Sequence, residues 1–198
     1  IRSANSSARA DEFADRIKEL TGKAGKAKVA DSIKALFTYA AWADKYDGQA
    51  HGVPIRGVAL AMKEPVGKIG VLCGDQPLLD FVTPMAAAIA MGNRVTLVPS
   101  RAFPLAATDF IQILETSDVP AGVVNIVTGA QGELGDTLSK HMDVDAVWNL
   151  GDATATQMIE GNSAGNLKRV WAPSHAPAAK EFLQAATEVK NSWIQYGE

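Results

Sequence analysis

Residues 64–73 read EPVGKIGVLC, and the chain then runs through PLLDFVTPMAAAIAMG (77–92), NRVTLVP (93–99), PLAATDFIQILETSD (104–118), GVVNIVTG (122–129), GELGDTLSKH (132–141) and VDAVWNLG (144–151). Short apolar runs alternate with longer segments whose apolar residues recur at helical spacing. Unbroken Val/Ile/Leu runs are what strands buried on both faces require, so the stretch predicts an α/β fold: a doubly wound, Rossmann-like parallel sheet with helices on both faces. Strands are expected near Val66–Cys73, Val95–Val98, Val123–Val127 and Ala146–Asn149. Ligands of such sheets lie beyond the carboxyl ends of the strands. The turns after Cys73, Val98 and Leu150 are therefore where function should be written, and they hold no obvious reaction chemistry.

Working outward, two helices are expected before the sheet. One spans about Ala8 to Leu20 and ends at Thr21-Gly22, where glycine suits a left-handed cap. The other runs from about Lys26 to Tyr46, with Val29, Ile33, Leu36, Phe37, Tyr39, Ala40 and Trp42 on one broad face and Asp47-Gly48 as its stop. A strand over Gly57–Met62 leads into the main sheet as a small antiparallel arm. On the other side, Asn166–Trp171 is followed by the loop APSHAPAA, a short helix near Lys180–Ala186 and the segment TEVKNSWIQYGE (187–198). Residues 1–56 form an N-terminal helical part, 57–171 the sheet domain, and 172–198 a linker, a short helix and a terminal strand. Val189, Trp193, Ile194 and Tyr196 give that strand apolar rings that need a pairing partner.

The 198 residues suffice for one good core. A hydrophobic share of 47% and a charged share of 21% are ordinary for a globular chain. The net charge of -3, with basic residues scattered, excludes a nucleic-acid footprint. No apolar stretch reaches the roughly 18 residues of a membrane span, and the N-terminus lacks a signal-peptide core. The one cysteine rules out an internal disulfide and fits a reducing cytoplasm. His51, His141 and His175 lie apart, so no metal is expected. An isoleucine at position 1 suggests a portion of a longer polypeptide.

Taken together, several segments resemble the aldehyde dehydrogenase superfamily. EPVGKIGVLC resembles its first cofactor-domain strand, PMAAAIAMGNRVTLVPS its helix and second strand, DVPAGVVNIVTG its third strand, and HMDVDAVWNLGDA the strand that ends in its Phe-Thr-Gly-Ser turn. TEVKNSWIQYGE resembles its carboxyl-terminal oligomerisation strand. After NLKRVW the family continues into a catalytic domain with a nucleophilic cysteine, whereas this chain passes directly to the terminal strand. The combination resembles the degenerate second module of the two-module, family-16 aldehyde dehydrogenases.

The resemblance also places the cofactor positions. The family's second strand ends in Lys-Pro-Ser-Glu, whose lysine and glutamate hold the adenosine ribose; here Val98, Pro99, Ser100 and Arg101 stand there, and the bidentate acceptor is lost. Arg101 offers only donors, either as a solvated loop residue or toward a phosphate. Gln76 falls near the family's oxyanion asparagine, in a turn one residue shorter. Gly151 keeps a close backbone approach to a ligand, and Asp152 makes an N-cap while setting a carboxylate where a pyrophosphate would lie. The glycines of GAQGELG resemble a phosphate loop only weakly.

Cys73, at the end of a buried strand, is read as structural, so no catalytic residue is expected. The resemblance implies a non-catalytic module with no cofactor of its own, one that assembles with a catalytic aldehyde dehydrogenase module in the same polypeptide or another subunit and forms a homo-oligomer. The terminal strand should leave its own domain and join that module's sheet. The alternative is a part that binds NAD or NADP and aids aldehyde oxidation in trans.

Overall fold

A computed structural model describes residues 7–195. Helix α1 (Ala10–Thr21) ends at Gly22, whose φ of 70° is the left-handed cap that the Thr-Gly pair predicts. Helix α2 (Lys26–Trp42) stops short of the expected Tyr46, because the amides of Lys45 and Tyr46 both turn back onto the Trp42 carbonyl. Strands β1 (Gln49–Gly52) and β2 (Gly57–Pro65) follow, antiparallel to each other.

Next come β3 (Lys68–Leu72), α3 (Leu79–Ala90), β4 (Arg94–Val98), α4 (Pro104–Asp109), α5 (Ile111–Glu115), β5 (Val124–Ile126), α6 (Gln131–Lys140), β6 (Ala146–Asn149), α7 (Thr156–Ser163) and β7 (Arg169–Trp171). The segment 104–118, expected as one helix, breaks at Phe110. The five strands make one parallel sheet in the order β5-β4-β3-β6-β7. The order reverses between β3 and β6, the place where a doubly wound sheet opens its crevice.

Both faces are covered, as the unbroken apolar runs require. Ile69, Val71, Val95, Leu97 and Trp148 face a core filled by α1, α2 and α3. Leu72, Val98 and Val147 face the opposite way, onto Ile159 of α7 and Leu134 and Leu138 of α6. Gly70 is small because the Leu138 side chain lies against it. Phe110 packs edge to face on Phe81 and at a tilt on Phe13 within the larger core.

After β7, seven residues (172–178) lead to α8 (Ala179–Ala185) and β8 (Thr187–Gln195). Strand β8 pairs antiparallel with β2 along its whole length, from Thr187 opposite Pro65 to Gln195 opposite Gly57. This corrects the expectation that the terminal strand leaves its own domain: its backbone is zipped onto this chain's β2, giving a second sheet in the order β1-β2-β8. Residues 57–65 thus belong to this antiparallel sheet, where a small antiparallel arm over Gly57–Met62 was expected. Val189, Trp193 and Ile194 nevertheless stay exposed, Trp193 at 65%. Tyr196 lies outside the described residues.

Candidate functional site

The carboxyl ends of β3, β4 and β6 meet at the switch point, and the ladder runs on past them: Cys73 N–H donates to the Val98 carbonyl and Leu150 N–H to the Leu72 carbonyl, each at 2.9 Å. Around this edge lies a cavity of about 540 Å³, lined among others by Asp75, Ser100, Arg101, Gln131, Asn149 and Asp152. Three of the positions singled out in the sequence line it: Ser100, which is buried, and Arg101 and Asp152, which are exposed. Val98 and Pro99 are buried and not part of its lining.

Each wall is tied by a side chain. Ser100 Oγ donates to the Asp75 carboxylate, joining the turn after β3 to the turn after β4, and accepts from Ala102 N–H. Asp152 accepts from the backbone N–H of Thr154 at 2.8 Å and from its hydroxyl at 2.6 Å, capping a single 3₁₀ turn at 153–155. Those bonds hold its carboxyl below the usual carboxylate range. Asn149, at the end of β6, donates from Nδ2 to the Asp152 carbonyl and to Thr156 Oγ1, while its buried Oδ1 has no partner among the described residues.

Gln131 was not singled out in the sequence. From the first turn of α6 it reaches back across the sheet edge, donating through Nε2 to the Cys73 carbonyl at 2.7 Å and the Val98 carbonyl at 3.3 Å. Its Oε1 lies 2.7 Å from where a Cβ on Gly151 would stand. A side chain at Gly151 would meet Gln131 Oε1 and the Cys73 carbonyl, so the position is crowded on the strand side. The available signal was a long amide at a helix start directly behind two strand ends.

Gln76 does not join the others. Its Oε1 accepts from Lys28 of α2, and it lines a separate cavity of about 400 Å³ with Asp80, Leu150, Pro173, His175 and Phe182. The turn between is tight. Leu78 adopts a φ of 65°, and a Cβ at Gly74 would strike the Asp80 carboxylate. Asp80 accepts from Gln76 N–H at 3.0 Å. Cys73 is buried, and its thiol is pushed up far from thiolate formation, by burial first and then by the Asp80 carboxylate.

Among the described residues no group of three His, Cys, Asp or Glu could hold a metal ion. His175 pairs with Glu181 at 2.8 Å. The His141 ring accepts from Asp143 N–H, and the buried Lys168 ammonium takes the carbonyls of His141 and Val144. No helix among the described residues is long and apolar enough to cross a membrane.

Residues 5–174 match the model of the aldehyde dehydrogenase family. The chain is 36% identical over 143 residues to a cytosolic aldehyde dehydrogenase of Rattus norvegicus, covering 70% of this chain and 28% of that protein. It is 34% identical over 157 residues to the NADP/NAD-dependent aldehyde dehydrogenase PuuC of Escherichia coli, covering 76% and 32%. The chain thus spans about three-tenths of the length of these relatives. In three dimensions it resembles betaine aldehyde dehydrogenase of Staphylococcus aureus, solved in complex with NAD+, with a TM-score of 0.80 and 27% identity over 86% of this chain and 35% of that one.

Proposed function

The chain belongs to the aldehyde dehydrogenase family, and we propose that within it this chain is a non-catalytic module that assembles with a catalytic aldehyde dehydrogenase module, in the same polypeptide or in another subunit. The observation that carries this reading is the short return from β7 to β8. Seven residues cross from the parallel sheet to α8, and β8 closes on β2 with nine paired residues. No catalytic domain stands between them. The buried thiol of Cys73 supports the same reading, since the family resemblance implies a thiolate nucleophile and this sulfur is held neutral and out of reach. The module is assigned no cofactor of its own. On this reading it is a degenerate second module of a two-module enzyme.

The assembly role draws on β8, which has β2 on one side and no strand on the other among the described residues. Exposed backbone groups beside Val189, Trp193 and Ile194 are what strand addition or face-to-face docking uses. The test is Trp193→Ser combined with Ile194→Ser. Light scattering should report a lower mass for the assembly of this chain, alone or mixed with a catalytic aldehyde dehydrogenase, at unchanged helix content. An unchanged mass would refute the assembly role. Aldehyde-dependent reduction of NAD+ by this chain alone, lost in Cys73→Ser, would refute the non-catalytic reading.

A further inference from the structure

A nicotinamide dinucleotide bound at this switch point would need three things from the strand ends: free donors for its pyrophosphate, room against the backbone and no competing negative charge. Side chains of this chain stand against each of the three at the strand ends. The amide of Thr154, at the helix start after β6, is already donating to Asp152. The gap between the ends of β3 and β4 and Gly151 holds the Gln131 carboxamide. Asp75 and Asp152 both line the cavity, and of the lining residues only Arg101 is cationic. Asp75 is fixed by Ser100, so its charge cannot swing aside without breaking the bond that ties two turns together.

We propose that the strand-end side of this cavity is latched from within, by Gln131 across the strand ends, Asp75 on Ser100 and Asp152 on Thr154, so that the chain's own side chains fill the backbone approach at Gly151 and engage a donor that a dinucleotide would take. The inference rests on the reading of the chain as a non-catalytic module and extends it from missing chemistry to excluded cofactor. The latch is a built feature of the fold and not a mere loss of contacts. Its central bond joins an α6 side chain to the carbonyls of Cys73 and Val98, and for Cys73 the Gln131 amide is the donor that meets the strand-end carbonyl.

A latch can be opened, and that separates it from a crevice whose shape has simply decayed. Gln131→Ala removes the carboxamide and keeps a good helix former at the start of α6. Asp152→Ser keeps an N-cap and removes the charge. The 198-residue chain and the Gln131→Ala/Asp152→Ser variant are titrated calorimetrically with NAD+, NADP+ and AMP, with circular dichroism checking that both are folded. The expected result is no saturable heat for the unaltered chain at millimolar nucleotide, and affinity for at least one of the three gained by about tenfold or more in the variant. Sub-millimolar binding by the unaltered chain would overturn the proposal, as would a folded variant that binds no better. The mass of the assembly, read on the same samples by light scattering, reports on the assembly role separately, so either idea can fail without the other.

Discussion

The parallel sheet and the small antiparallel sheet of this chain treat their surfaces in opposite ways. In the first, Val71, Leu97 and Val147 are wholly buried, helices cover both faces, and the strand ends are tied by Gln131, Ser100 and Asp152. In the second, β1 is exposed throughout, and β8 turns Val189, Trp193 and Ile194 to the outside. The parallel sheet ties its strand ends with its own side chains, apart from Asn149 Oδ1, which has no partner among the described residues, and the small sheet leaves apolar side chains in solvent. Apolar burial favours association by about 25 cal/mol per Å² removed from water, so under the proposed assembly role the exposed side chains of β8 are where contacts are expected. A doubly wound frame, then, does not by itself say where a chain makes its contacts.

The contrast breaks most visibly in the tryptophans. Trp148 is 1% exposed and packs edge to face against Trp171 at 5.2 Å and Phe182 at 6.0 Å. Trp148→Ala should cost about 3–5 kcal/mol, because the cavity adds to the lost transfer energy. Trp193→Ala, on the small sheet, should stay within about 0.5 kcal/mol in the monomer. Urea unfolding of both variants decides the matter. A large cost at Trp193 in the monomer would mean that its exposed face is part of the fold.

The two sheets are joined through Asn93, a buried residue in the turn between α3 and β4. Its Oδ1 accepts from Gly67 N–H at the start of β3, and its Nδ2 donates to Ala88 at the end of α3 and to Ala186 at the root of β8. Asn93→Ala leaves a buried donor and two acceptors without this partner, a loss of about 2–4 kcal/mol in total. The sharper readout is hydrogen exchange, in which amides of β8 should lose more protection than those of β4. Equal loss in both strands would make Asn93 a general core residue and not the joint.

How much of this could be read beforehand follows from where each interaction lies along the chain. Strands β3, β4 and β6 announce themselves, because burial on both faces forces unbroken apolar runs, and alternation with helices gives the parallel order. Gly22 and Asp152 were legible as caps, since capping is decided within a few residues. Strand β1 was not: QAHG carries no strand signal and is extended because it pairs with β2. The partner of β8 was misjudged for a related reason, as its apolar side chains reveal an edge strand but not which edge it finds. Gln131 escaped because its bonds reach residues 33 and 58 positions away, whereas the glycines around it drew the eye to a phosphate loop.

A buried carboxyl beside the parallel sheet sets the smallest expected effect. Asp80, beside the turn after β3, has its carboxyl raised above the usual carboxylate range, chiefly by burial. The Gln76 N–H and the Lys28 ammonium pull it back, and Asp75 adds to the rise. The folded chain therefore holds this proton more tightly than the unfolded chain does. That advantage is fully present below the unfolded value and is lost as pH rises through the raised folded value. Asp80→Asn cannot ionise, yet it keeps a carbonyl oxygen to accept from Gln76 N–H. The stability of the variant relative to the unaltered chain should climb from a low plateau in acid, through the window above the ordinary carboxylate pKa of about 3.9, and level off near neutral pH. Taking the difference between paired urea midpoints at each pH cancels the titrations that the two proteins share. A flat or falling difference would mean that Lys28 and the Gln76 amide fully offset the burial of the charge, and that the closed sheet carries no ionic strain at its binding edge.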